Sequence, residues 1–255
     1  MKNRTLIVFL LLFYAIPPFA SRYYSIFSIL KVINRTLANP LINNFIQYFS
    51  SVKCLFLISI ILLFIYPRIG SRLFVFSGFF LMLSYSILQS MSYSEENGFM
   101  WVISNTCIMG CVAIGWYKEL IHNKCRFTNK QIDWKQIWIL PIAFFCILFP
   151  VDFEGNIFNP NPVVSWSRFL TTDTTGAYCY ITPALMGILI LYYPYLNKEF
   201  YCITSDVCTI IGTLALGNFI TEKGLYVTLM HLPLTFFAIY GQYVYYHSLK
   251  RKEKK

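Results

Sequence analysis

Long apolar runs separated by short polar turns recur from one end of the chain to the other, and their length is that of helices rather than strands. The runs cover 5–21, 54–67, 73–94, 97–117, 136–151, 174–197, 207–221 and 225–249. The last holds no acidic residue and no Lys or Arg. At roughly 1.5 Å per residue it is long enough to cross a hydrocarbon core of about 30 Å. The pattern predicts an all-α fold, a polytopic membrane helix bundle of about eight transmembrane helices in one membrane domain over 1–255. Between the first two runs, 24–33 and 41–49 mix apolar and polar positions and predict helices lying on the membrane surface. Prolines, asparagines and a glycine crowd 152–162 and predict turns, with a short surface helix following at 163–170.

Charge placement orients these runs, because Lys and Arg beside a span bias it toward the cytoplasm. Arg68 and Arg72 mark a tight turn, Lys118, Lys124, Arg126, Lys130 and Lys135 form the main basic loop over 118–135, and the chain closes on Lys254 and Lys255. Glu95 and Glu96, and later Asp152, Glu154 and Asp173, lie in the alternate loops. The expectation is a multi-pass cell-membrane protein with both termini cytoplasmic. One segment departs from the rule: 22–53 carries Arg22, Lys31, Arg35 and Lys53 without an acid, yet falls outside. Lys53 and Arg68 are expected to snorkel from the ends of the short second span. The start, with Lys2 and Arg4 before an apolar core, resembles a signal peptide. Pro17 and Pro18 occupy the place where cleavage needs a small residue, and an uncleaved first helix is the reading adopted.

Composition agrees. The chain is 57% hydrophobic and only 13% charged, a balance that leaves too little polar surface for a soluble domain. Its net charge of +10 would suggest nucleic acid in a soluble protein. Gathered in loops between apolar runs, it points instead to the bilayer and to anionic lipids at the cytoplasmic face, with no nucleic acid and with other membrane subunits as further partners. The eight cysteines show no zinc-like spacing, so neither disulfides nor a metal is expected.

The two halves, 1–117 and 136–249 joined by the basic loop, show a correspondence. Tyr66-Pro67 matches Tyr193-Pro194, Glu96-Asn97-Gly98 matches Glu222-Lys223-Gly224, and Gly115 falls on Gly241. This suggests a parallel four-plus-four duplication, which membrane transporters often contain. Under it His231 takes the place of Asn105, each seven residues past the glycine opening its span.

Polar side chains in hydrocarbon are costly unless paired or wet, so those in the spans are the candidate chemistry. Gln89, Asn105, Thr182, Asn218 and His231 share one depth near the outer surface. On the last helix Gly224, Thr228, His231, Thr235, Ala238 and Gln242 form a stripe at alternating four- and three-residue spacing. That stripe reads either as a lining surface, with His231 as ligand or proton acceptor, or as a packing seam with His231 bonded to a threonine or amide. Asp152, Glu154 and Asp173 either add acid or base chemistry beside His231 or form a solvated loop. Asp206 is expected to cap the seventh span, and Cys107 and Cys111 to pack as small apolar groups. No nucleophile elbow, metalloprotease or nucleotide-binding motif occurs, and no cofactor is expected. Three functions remain: transport or gating of a small solute or lipid through the outward-facing polar layer, a membrane-embedded enzyme on a lipid or lipid-linked substrate using His231, and an accessory subunit of a membrane complex.

Overall fold

The computed structural model describes residues 8, 10–148, 151–154, 161–164, 178–217 and 224–253, with the side chains of 46, 50, 151–154, 161–164, 215, 217, 224–230 and 249–253 outside that description. It is mostly helical. A short strand β1 (Phe19–Ala20) leads through a 3-10 turn into helix α1 (Ile29–Ala38), which buries Val32, Thr36 and Ala38 and leaves Leu30 72% exposed. A second 3-10 turn, Leu41–Phe45, joins it to α2 (Ile46–Ile65).

Pro67 turns the chain at the end of α2. It has no N–H to donate and fits the first helical position, so α2 stops before Tyr66 and α3 (Pro67–Leu88) starts at once in a new direction. Beyond α3, strands β2 (Met91–Ser94) and β3 (Gly98–Trp101) form a hairpin, and β1 adds to β3 in the order β1-β3-β2. Gly98 adopts φ +68 in that turn, where a side chain would be strained and would also meet the Ser21 hydroxyl. Helix α4 (Ile103–His122) returns and ends at Asn123, a left-handed residue at φ 47. Helix α5 (Ile139–Ile147) precedes a second hairpin, β4 (Val151–Glu154) with β5 (Asn161–Val164). The chain then completes α6 (Tyr178–Tyr192), α7 (Lys198–Gly217) and α8 (Gly224–Glu253).

Helix α6 is the centre. All but one of its residues are buried, as expected of a helix that is apolar all round. Tyr178 at its start meets Tyr85 near the end of α3 at 5.9 Å between ring centroids, and Tyr192 at its end meets Phe64 near the end of α2 at 6.4 Å. Around it α2 packs on α3, α3 on α4, α4 on α7 and α7 on α8, while α5 and α8 lie along α6. The halves thus pair their helices differently: α2 lies along α3, whereas α6 lies along α5 and α8 and touches α7 only slightly. The correspondence of Pro67 with Pro194 and Gly115 with Gly241 is not matched by a common set of neighbours.

Several expectations change. Among the described residues two helices are long and apolar enough to cross a membrane, over Gln47–Ile65 and Pro67–Leu88. The second apolar run is the end of a longer helix that begins at Ile46 and takes in the last four residues of the supposed surface helix at 41–49, the first five being the 3-10 turn. Lys53 consequently lies two turns inside α2 and is wholly buried rather than snorkelling. The first run is not one helix: residues 10–12 are helical, but Phe19 and Ala20 are strand. The third and fourth runs yield their facing ends to the β2–β3 hairpin. Val163 and Val164 pair with Val151 and Asp152 in a strand rather than opening a surface helix.

Candidate functional site

Among the described residues the most heavily buried acid is on α7. Because that helix begins at Lys198, its start is served by Asn197, whose side-chain oxygen accepts from the Glu199 amide N–H at 3.1 Å. Asp206 lies two turns farther in and is no cap. It is fully buried, with Oδ1 accepting from Gln242 Nε2 on α8 and Oδ2 without a partner among the described residues. The neighbouring Ser205 hydroxyl is buried and likewise unpartnered.

Glycine brings the two helices together there. A Cβ on Gly241 would stand 2.8 Å from Met186 Cε of α6 and 3.2 Å from both Ser205 Oγ and Tyr201 Oη, so only hydrogen fits without a shift. The bare backbone is used as well: Tyr201 donates its hydroxyl to the Gly241 carbonyl at 2.9 Å. Tyr201, Ser205 and Asp206 of α7 therefore face Gly241 and Gln242 of α8 in a space closed by Met186. One turn on, the Tyr178 hydroxyl lies 3.2 Å from Cys208 Sγ. A carboxylate shut away from water is costly unless hydrogen bonds, a proton or a cation complete it, and here one oxygen is completed by an amide.

The residues predicted to form a polar layer near the outer surface are held by separate bonds where they are described. Asn105 of α4 donates to Ser90 Oγ at 2.8 Å, within the first half. Gln89 ends α3, and its Oε1 is buried without a partner among the described residues. Thr182, fully buried on α6, returns its hydroxyl to the Tyr178 carbonyl at 2.6 Å. Thr235 donates to the His231 carbonyl at 3.0 Å, and its Oγ would lie 2.7 Å from a Cβ on Gly212 of α7. Asn218 and Asp173 lie outside the described residues, as do the side chains of Thr228, Asp152 and Glu154.

The stripe on α8 does turn inward where it is described. Thr235 and Ala238 are buried and His231 half-buried, while Leu232, Phe236 and Tyr243 on the other side are exposed. At Thr235 and Gly212 it is a tight seam. With α7 standing between α4 and α8, no described bond joins Asn105 to His231.

Two further clusters tie loops. At the β2–β3 end, Glu96 Oε2 stands 2.5 Å from Arg35 Nη1 and its Oε1 3.3 Å from Lys31 Nζ, while Arg35 also donates to Asn97 Oδ1 at 2.8 Å. Arg22 donates to the Glu95 carbonyl. Two of the four cations in the segment that broke the charge rule, Lys31 and Arg35, thus pair with the acidic turn beside it. Hydrogen bonds first from Arg35 and then from Lys31 hold the Glu96 carboxyl below its usual range. At the other end, the Cys125 amide N–H donates to the buried Glu119 carboxylate at 2.6 Å, and the Asn197 amide reaches Cys125 Sγ at 3.1 Å. Burial pushes the Cys125 thiol well above its ordinary value.

Sequence reasoning put Gln242 on the stripe of the last helix but gave Asp206 only a cap. The missed signal was the mixed run Lys198 to Asp206, in which apolar Phe200 to Ile203 stand between polar residues and continue α7 backward. Comparison with family models, with curated proteins and with solved structures returns no match.

Proposed function

We propose that this chain is a multi-pass membrane protein that moves or gates a small solute or lipid, and that Asp206 is the group whose occupancy by a proton or cation drives the step. The observation that carries this reading is a wholly buried carboxylate with one oxygen on Gln242 and the other unpartnered among the described residues. Intramembrane acids of this kind mark ion and proton pathways. Occupying Oδ2 changes the balance of charge between α7 and α8, so the two helices gain a reason to shift against each other.

Embedding in lipid is supported by what α3 leaves uncovered. Phe76, Phe80, Leu83 and Ile87 are exposed along one face, and Ile58, Ile61 and Ile65 along α2. Apolar surface of that extent suits acyl chains rather than water. The arrangement proposed is multi-pass, with the Glu95–Glu96 turn outside and the 118–135 loop and Lys255 inside.

The test compares lipids and polar metabolites, inside and outside, in cells carrying the wild-type chain, no chain, or Asp206→Asn. The Asn variant, present at wild-type abundance in the membrane, is expected to reproduce the profile of cells lacking the chain. A wild-type profile would refute the role given to Asp206.

A further inference from the structure

A recess of about 680 Å³ opens between the start of α3 and the loop that follows α4. Arg68, Arg72 and Arg126 line it together with Ser71, Asn123 and Thr128, and no carboxylate does. All three arginines are exposed, and the ion pairs among the described residues engage only Lys31 and Arg35 with Glu96. The nearest buried acid, Glu119, is committed to the Cys125 amide, so it does not neutralise them. The recess also receives the first turn of α3, which has no side-chain cap and no acidic residue. The positive end of that helix adds to the arginines.

The wall carrying Arg126 is anchored on both sides. Cys125 is held by Glu119 and by Asn197, and the Phe127 ring packs on Phe74 at 5.8 Å and on Tyr192 at 5.1 Å. Asn129 donates to the Phe64 carbonyl at 2.9 Å. Three planar guanidinium forks around one concavity suit a ligand offering several oxygens and more than one negative charge. We propose that this recess binds a phosphate monoester group through Arg68, Arg72 and Arg126, independently of Asp206. The same group is carried by an anionic lipid at the membrane surface and by soluble phosphates, and the two sources are separable.

The full-length protein, purified in phosphatidylcholine nanodiscs, is titrated with inorganic phosphate and glycerol 3-phosphate, and separately assembled with increasing phosphatidic acid. Binding is read by thermal stabilisation and by calorimetry. At least one monoester is expected to bind: phosphatidic acid alone assigns the site to a lipid headgroup, the soluble probes alone to a soluble phosphate. Replacing all three arginines by Gln should weaken binding roughly a hundredfold, and Arg126→Gln alone, which serves if the triple variant does not fold, roughly tenfold. The charge-matched control Lys118→Gln/Lys130→Gln/Lys135→Gln should change it less than about twofold. Failure of every monoester to bind, or an equal loss in the lysine control, overturns the proposal.

Discussion

The side-chain amide of Gln242 on α8 donates to the carboxylate of Asp206 on α7, and this bond joins two helices where Gly241 brings them closest. Replacing Gln242 by Leu leaves the buried carboxylate with no amide, which should cost about 1–3 kcal/mol of stability. Asp206→Asn keeps a polar partner for Gln242 and should cost less. Denaturation of both variants in the same detergent checks the order, and a larger loss for Asp206→Asn would contradict it.

Close approach of α7 and α8 makes a second demand. A Cβ on Gly212 would lie 2.7 Å from Thr235 Oγ and 3.1 Å from Thr235 Cα. Gly212→Val should therefore destabilise by about 1–3 kcal/mol through overpacking. Thr235→Ala made in the same chain should recover part of that loss, because one of the two obstructing atoms is the hydroxyl. Additive losses in the double variant would show that the seam is looser than these distances require.

The Arg35–Glu96 contact should respond to acid. The Glu96 pKa is lowered on folding, chiefly by Arg35, so its contribution is present above the unfolded value near 4.5 and is lost as pH falls through the lower folded value. Glu96→Gln should mimic the acid state at neutral pH. Limited proteolysis between Arg22 and Arg35 at pH 7 should be faster in that variant than in wild type.

The α4 end predicts a thiol that does not react. Thiolate is the reactive form, and burial raises the Cys125 pKa, so little thiolate exists at neutral pH. Cys125 should resist maleimide in the folded protein and react after denaturation. Glu119→Ala, which removes the acceptor of the Cys125 amide, should speed its labelling.

What the sequence disclosed was the helical class, the last helix and its inward stripe, because alternating spacing of small and polar residues survives folding unchanged. Thr235 and Ala238 are buried while Phe236 and Tyr243 are not. The starts of helices were less legible. Both α2 and α7 begin well before the apolar run that announces them, since Gln47 and Lys53, or Glu199 and Asp206, continue the same helical register with polar side chains. That error hid the candidate site: an acid at the edge of an apolar run reads as a cap, and only three-dimensional packing shows it shut between helices. The β2–β3 hairpin was missed because its strands, 91–94 and 98–101, read as the ends of the apolar runs on either side of the acidic Glu95-Glu96 turn. Its pairing of Met91 with Trp101 depends on the turn at Gly98, a tertiary choice that periodicity does not report. Depth along separate helices was no guide to contact for Asn105, which bonds Ser90 and is separated by α7 from the helix that carries His231.

Topology is open to a direct check. A reporter active only in the cytoplasm should work when fused after Lys255 or inserted at Asn129, and fail when inserted at Asn97. Activity at Asn97 would contradict the arrangement of spans.

Infrared difference spectroscopy of the purified protein in lipid, recorded across a pH step and then across addition of monovalent cations, bears most directly on Asp206. The proposed role predicts a carboxyl band that changes with one of these two steps, disappears in Asp206→Asn and shifts in Gln242→Leu. A spectrum in which wild type and Asp206→Asn respond identically to both steps would show Asp206 to be a packing residue and contradict the proposed function.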